Sequence, residues 1–115
     1  MKFGTLFNQG DILIVPFPFS NLRGIRQRPV LVLSNLKYNQ NSEDIVTCGI
    51  TSNLKNTEYS VLINDENISE GGLPVKSRIK ADKLFTLNKS IVIKKIGRIN
   101  KETFDKVKNE LFKLV

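Results

Sequence analysis

Along most of the chain, apolar residues recur at every second position in short runs broken by Gly, Asn and Ser. In "DILIVPFPF" (11–19), Leu13, Val15, Phe17 and Phe19 share one face at period two. Pro16 and Pro18 lack the N–H groups that would point the same way, so that side of the strand end is expected to be an edge or a bulge. "SNLRGIRQ" then reads as a polar loop bending at Gly24. "PVLVLS" (29–34) is continuously apolar, the pattern of a strand covered on both faces. "DIVTCGIT" (44–51) and "EYSVLI" (58–63) follow as strands, separated by the loop "SNLKN". "NDENISEGGLP" reads as turns. In "KSRIKADKLFTL" (76–87), Ile79 and Ala81 keep one phase and Leu84 breaks it, which predicts a bulge near Asp82. "SIVIKKIG" (90–97) is the last strand.

The period then changes. Phe104, Val107, Leu111 and Leu114 recur at helical spacing, Asn100 is placed to cap, and Glu102 and Asp105 lie near the positive end of the dipole. Five or six short strands and a final helix predict a single domain over residues 1–115. It is mainly β with a C-terminal α-helix, in a small, strongly bent sheet or barrel. Phe17, Phe19, Phe85, Phe104 and Phe112 follow strand or helix periodicity and read as core. Phe19, beside the polar loop, is the aromatic best placed to contact a nucleic acid.

Composition removes many chemistries. With 115 residues the chain is long enough for a core of its own. No stretch approaches the roughly 18 apolar residues of a membrane span, and the N-terminus lacks an apolar signal region, so a cytoplasmic protein is expected. One cysteine, Cys48, excludes an internal disulfide and a cysteine-cluster metal site. It shares an apolar face with Val46 and Ile50 and reads as a buried thiol. There is no histidine, so the Ser-His and Cys-His couples and the commonest transition-metal ligand are absent. Adjacent carboxylates such as Glu43-Asp44 and Asp65-Glu66 fall in turns, and no EF-hand or phosphate-cradling Gly motif occurs, so no metal site is expected.

The net charge of +7 is unevenly placed. Between Asp11 and Glu43 no residue is acidic, yet Arg23, Arg26, Arg28 and Lys37 lie there. A second cluster, "VKSRIKADK", carries Lys76, Arg78, Lys80 and Lys83 against Asp82 alone. Two such clusters fit either a polyanion partner or a generally cationic surface. Arg28 precedes Pro29, which holds it extended at the mouth of an apolar strand. There its guanidinium can present a rigid fork to a phosphate, or pair with a surface carboxylate. Thr51 falls on the face opposite Cys48 and Ile50, at a strand end. Its hydroxyl is either a site group or the start of a local turn.

The order "GDILIVPFPFSNLRGIRQRPVLVLSN", "ITSN", "KSRIKADKLFTL" resembles the MazF/PemK family of type II toxins across nearly the whole chain. "PFPF" is more similar to the PemK-like branch. The resemblance implies an SH3-like small β-barrel with a C-terminal helix, acting as a homodimer. It implies a sequence-selective endoribonuclease (an mRNA interferase) that needs no metal or cofactor. Such an enzyme cleaves single-stranded RNA to 2′,3′-cyclic phosphate and 5′-hydroxyl ends, and a cognate acidic antitoxin neutralises it; any DNA binding comes only through that antitoxin. The family's catalytic arginine carries over onto Arg28 in its Arg-Pro motif, and its catalytic threonine onto Thr51 in "ITSN". Arg23, Arg26, Ser77, Arg78 and Lys83 transfer as RNA contacts, with Asn35, Ser52 and Asn53 from the "LSN" and "ITSN" segments.

Two other readings use the same residues. One is a non-catalytic gyrase-inhibiting toxin of the same fold, resembling CcdB; the other is a nucleic-acid-binding barrel without turnover. The first does not need the Arg28–Thr51 couple.

Overall fold

A computed structural model describes residues 6–17 and 26–115 of the chain. The strands are β1 (Asp11–Phe17), β2 (Arg26–Val32), β3 (Asp44–Thr51), β4 (Ser60–Ile63), β5 (Ile68–Gly71), β6 (Ser77–Asn88) and β7 (Lys94–Ile99). A short helix α1 (Leu36–Asn41) links β2 to β3, and the C-terminal helix α2 spans Lys101–Leu114. All seven strands join one curled antiparallel sheet in the order β4-β6-β3-β2-β1-β7-β5. The expected small barrel is therefore an open half-barrel with β4 and β5 as its edges. The loop bend at Gly24 and the positions of Arg23, Pro18 and Phe19 lie outside the described residues.

The curl follows from local sequence. Opposite Cys48 and Gly49, β6 jumps from Leu84 to Lys80, so residues 81–83 form the bulge predicted near Asp82. This bend lets a 12-residue strand pair with β3 along both halves and with β4 at one end. On β1, pairing with β7 stops at Ile14 while pairing with β2 continues to Phe17. The side left open is the one where Pro16 has no N–H to offer.

Successive residues face opposite sides of the sheet, and each side buries its own cluster. Ile12, Leu31, Cys48, Ile50, Ile63, Ile79 and Ala81 form the core beneath α2, with Phe104 and Val107 from that helix. Leu13, Val15, Val30, Val32, Ile45 and Phe7 form the other. The α2 start is as expected: the Asn100 side chain accepts the Thr103 N–H at 2.8 Å. Burial of Phe104 and Val107 stabilises by about 1.5–3 kcal/mol each. Phe112, expected in the core, is 61 % exposed, because it falls off the stripe that faces the sheet.

Two elements depart from expectation. α1 buries one residue, Asn39, whose amide donates to the carbonyls of Phe7 (2.8 Å) and Ser34 (3.0 Å). A helix anchored by a polar residue has no apolar stripe to read. β5 lies inside the stretch expected to be all turn, with Ile68 its one apolar side chain, and is held by pairing to β7.

An ion cluster locks β1 to β7 and β5. The carboxylate of Asp11 is fully buried; Oδ1 accepts from Arg98 Nε at 2.7 Å and lies 3.4 Å from Lys95 Nζ. Its Oδ2 accepts the Asn8 N–H at 2.8 Å. Glu70 completes the cluster, 2.9 Å from Lys95 and 3.6 Å from Arg98. Gly10, at φ +88°, makes the left-handed turn that delivers Asp11 to this position.

Candidate active site

β2 and β3 pair only as far as Val30 and Gly49, yet β2 begins at Arg26 and β3 runs on to Thr51. The two strands splay beyond that pair. Continued across the gap, their register sets Arg28 opposite Thr51. On its other side Arg28 is paired with Val15 of β1, so its backbone is anchored while its side chain stands at the split.

A cleft of about 340 Å³ opens there, on the face that carries Val15, Val30 and Ile45. Arg28, Thr51, Lys80 and Phe85 line it. Gly49 forms part of the floor: a Cβ there would meet Lys83 Cβ at 3.6 Å and Phe85 Cε2 at 3.7 Å, so a methyl fits and a longer side chain would occupy the cleft. Among the described lining residues four are cationic (Arg28, Lys55, Lys80, Lys83) and none is acidic. With apolar walls and a cationic rim, the cleft favours an anionic ligand over a cationic one.

Thr51 Oγ1 accepts the Asn53 N–H at 3.1 Å, and Asn53 Oδ1 accepts the Lys55 N–H at 3.0 Å. The turn reading of Thr51 therefore holds, at a residue that also lines the cleft. Its oxygen starts a local turn that fixes the side chain, and its proton is left to donate toward the cleft. Lys80 Nζ donates to Thr57 Oγ1 at 2.6 Å and lies 4.0 Å from Asp82 Oδ1.

The other expected contacts divide by place. Asn53 and Lys83 join Arg28 and Thr51 in this cleft. Arg26, Ser52 and Ser77 line a second one of about 480 Å³, which also touches Arg28 and Pro29 and is closed by Leu73, Pro74 and Val75. Ser77 is buried and its hydroxyl donates to the Val75 carbonyl at 2.9 Å. Arg78 sits opposite Thr51 in the β3–β6 register but is 8 % exposed, lines neither cleft, and donates Nη1 to Ser60 Oγ at 3.0 Å. Asn35 is not brought to the site: it lies at the far end of β2, where its side chain caps α1 by accepting the Tyr38 N–H. Lys80 and Lys55 were not singled out as contacts, and Phe85 was expected in the core. The alternation of Arg78 and Lys80 against Ile79 and Ala81 is visible in sequence, but not which strand faces them.

Among the described residues no group of three His, Cys, Asp or Glu is placed to hold a metal ion. Cys48 is buried on the α2 side of the sheet; burial, and secondarily the charge of Asp82, push its thiol up to about 12, which makes it unreactive.

Residues 8–115 match the model of a family described as the PemK-like, MazF-like toxin of type II toxin–antitoxin systems. The chain belongs to this family. Solved structures agree in fold. An endoribonuclease from Mycobacterial species superposes with a TM-score of 0.76 at 20 % identity, covering 97 % of this chain and 93 % of its own. A MazE–MazF crystal structure from Deinococcus radiodurans gives 0.78 at 22 % identity, with 96 % of each chain covered. An endoribonuclease in complex with its cognate antitoxin, also from Mycobacterial species, gives 0.73 at 20 % identity, covering 92 % and 91 %. No curated protein matches the chain in sequence. In this PemK/MazF-like toxin the half-barrel therefore carries its cleft at the split between the strand with the Arg-Pro motif and the strand ending in "ITSN".

Proposed function

We propose that this toxin is a metal-independent endoribonuclease of single-stranded RNA, with Arg28 and Thr51 as its catalytic residues. One observation carries this reading: the two residues flank the strand split at a cleft whose rim is cationic and acid-free. The similar structures described as endoribonucleases support the same activity.

The reaction is an internal transfer. The 2′-oxygen bonds to the adjacent phosphorus, the P–O5′ bond breaks, the 2′-hydroxyl loses its proton and the leaving 5′-oxygen gains one. The products are a 2′,3′-cyclic phosphate and a 5′-hydroxyl. The Arg28 guanidinium stabilises the phosphorane charge and can donate toward the 5′-oxygen, while Thr51 donates its hydroxyl to a non-bridging oxygen. A guanidinium keeps its proton in its resting form, so Arg28 is a poor base and serves as charge and donor. The toxin acts in the cytoplasm as a homodimer, and an acidic, partly disordered antitoxin segment laid over the cationic cleft silences it. The similar structures solved with MazE or a cognate antitoxin support this partner.

The test is incubation with a long single-stranded RNA in excess EDTA, followed by mapping of the fragment ends. Discrete cuts bearing 5′-hydroxyls are expected. Intact RNA together with gyrase inhibition contradicts the reading in favour of a gyrase-directed toxin, and binding without turnover contradicts it in favour of a passive nucleic-acid binder.

A further inference from the structure

We infer that Lys80 is a phosphate ligand of the cleft, gripping the phosphate next to the one held by Arg28 and Thr51. The inference rests on the endoribonuclease reading for the place of the scissile phosphate, and on three observations of its own. First, register aligns Lys80 with the site: it lies directly opposite Gly49, while Thr51 lies opposite Arg78. Gly49 and Thr51 are two residues apart on one strand, so these rows are separated by about 7 Å at 3.3–3.4 Å per residue. That is comparable with the spacing of successive phosphates along an extended RNA strand. Gly49 contributes no side chain between Lys80 and Val30, and all three residues line the cleft.

Second, the Lys80 ammonium is largely withdrawn from water, with its side chain 17 % exposed. It carries three protons, and among the described residues only the bond to Thr57 Oγ1 uses one. Its ion pair with Asp82, at 4.0 Å, is too long for a hydrogen bond, and Asp82 Oδ1 is itself buried without a hydrogen-bond partner. A partly desolvated ammonium with hydrogen-bond donors to spare, beside a cleft lined by three other cations, is arranged to take a further anion.

Third, the lysine is held rather than left to wave. Thr57, which receives its proton, shares a 3.3 Å hydroxyl contact with Ser60, and Ser60 receives Arg78 Nη1 at 3.0 Å. This chain of hydroxyls fixes Lys80 and Arg78 on one face of β6. Lys55 and Lys83 lie exposed at the rim.

The experiment measures binding of a 2′-O-methyl RNA spanning one mapped cut, as a function of salt, alongside cleavage kinetics. Each phosphate contact on a single strand contributes about 0.7 to the slope of log affinity against log salt. Lys80→Ala is expected to reduce that slope by about 0.7 and to raise KM by about tenfold, with the loss falling on KM more than on kcat. Lys80→Arg is expected to restore the slope. Because removing the lysine isolates Asp82, the double variant Lys80→Ala/Asp82→Asn is measured too, with its unfolding midpoint. Lys113→Ala, on the exposed face of α2, serves as the remote control and should leave the slope at the wild-type value. A folded double variant with wild-type slope overturns the inference, as does a raised KM that Lys80→Arg does not rescue. If the wild-type protein binds a long single-stranded RNA but fails to cut it, the endoribonuclease reading fails, and the salt slope measured on that RNA still judges Lys80.

Discussion

Two charge clusters of this sheet are built on opposite principles. At the β1–β7–β5 end, Arg98 and Lys95 close on Asp11 and Glu70, two cations against two carboxylates. At the β2–β3–β6 end, the described lining of the cleft holds four cations and no carboxylate, and Asp82 pairs with Lys80 only at 4.0 Å. The first cluster is complete within the chain, and its effect is to hold one strand against its neighbours. The second carries an excess of positive charge beside a cavity, an arrangement that attracts an external anion. The net charge of +7 says little on its own. Its distribution separates architecture from site.

The largest effect should come from breaking the complete cluster. Asp11→Asn leaves Arg98 and Lys95 without their buried counter-charge and is expected to cost about 3 kcal/mol, because an uncompensated charge remains where a pair was. Urea denaturation measures this loss, and cleavage per folded molecule should be retained. A smaller effect, confined to the other region, follows from filling the cleft. Gly49→Leu pushes a side chain onto its floor near Phe85 and should lower RNA cleavage by roughly tenfold or more, since small displacements of bound substrate are costly. The unfolding midpoint should move little; a destabilised variant that cuts at the wild-type rate per folded molecule would show that Gly49 serves the fold alone.

The smallest effect is in pH. The hydrogen bond from Lys95, then the charges of Lys95 and Arg98, hold the Glu70 carboxyl below its ordinary value of 4.5. A folded-state value below the unfolded one means Glu70 binds its proton less readily when folded. Its contribution is present above about 4.5 and is lost as pH falls through the lowered value. Thermal melts of Glu70→Gln should therefore lie slightly below wild type at neutral pH and converge with it in acid. A constant gap across the series would remove Glu70 from the cluster's energetics.

Much of the fold was legible because its core obeys simple periods. Period two marked β1, β3 and β6, the broken phase at Leu84 marked the bulge, and helical spacing after Asn100 marked α2. What escaped lacks an apolar signature. α1 is anchored by the hydrogen bonds of Asn39, and β5 by pairing with a strand almost thirty residues away. The site divides in the same manner. Arg28 and Thr51 stand out locally, one before a proline and the other at the outward end of a strand. Lys80 does not, because its place in the cleft depends on facing Gly49 in a register offset by the bulge that follows it in β6. Asn35 looked similar to Asn53 in its Ser-Asn setting, yet one caps a helix and the other borders the cleft.

The most direct test compares Arg28→Ala and Thr51→Ala with Asp11→Asn under single-turnover conditions in EDTA, with unfolding free energies measured on the same samples. Arg28→Ala should lose on the order of 100-fold or more in cleavage rate, as removal of one transition-state donor typically does, while keeping wild-type stability. Thr51→Ala should move the same way, and Asp11→Asn should lose stability while keeping its rate. Cleavage that persists at the wild-type rate in folded Arg28→Ala would contradict the assignment of catalysis to the cleft between β2 and β3.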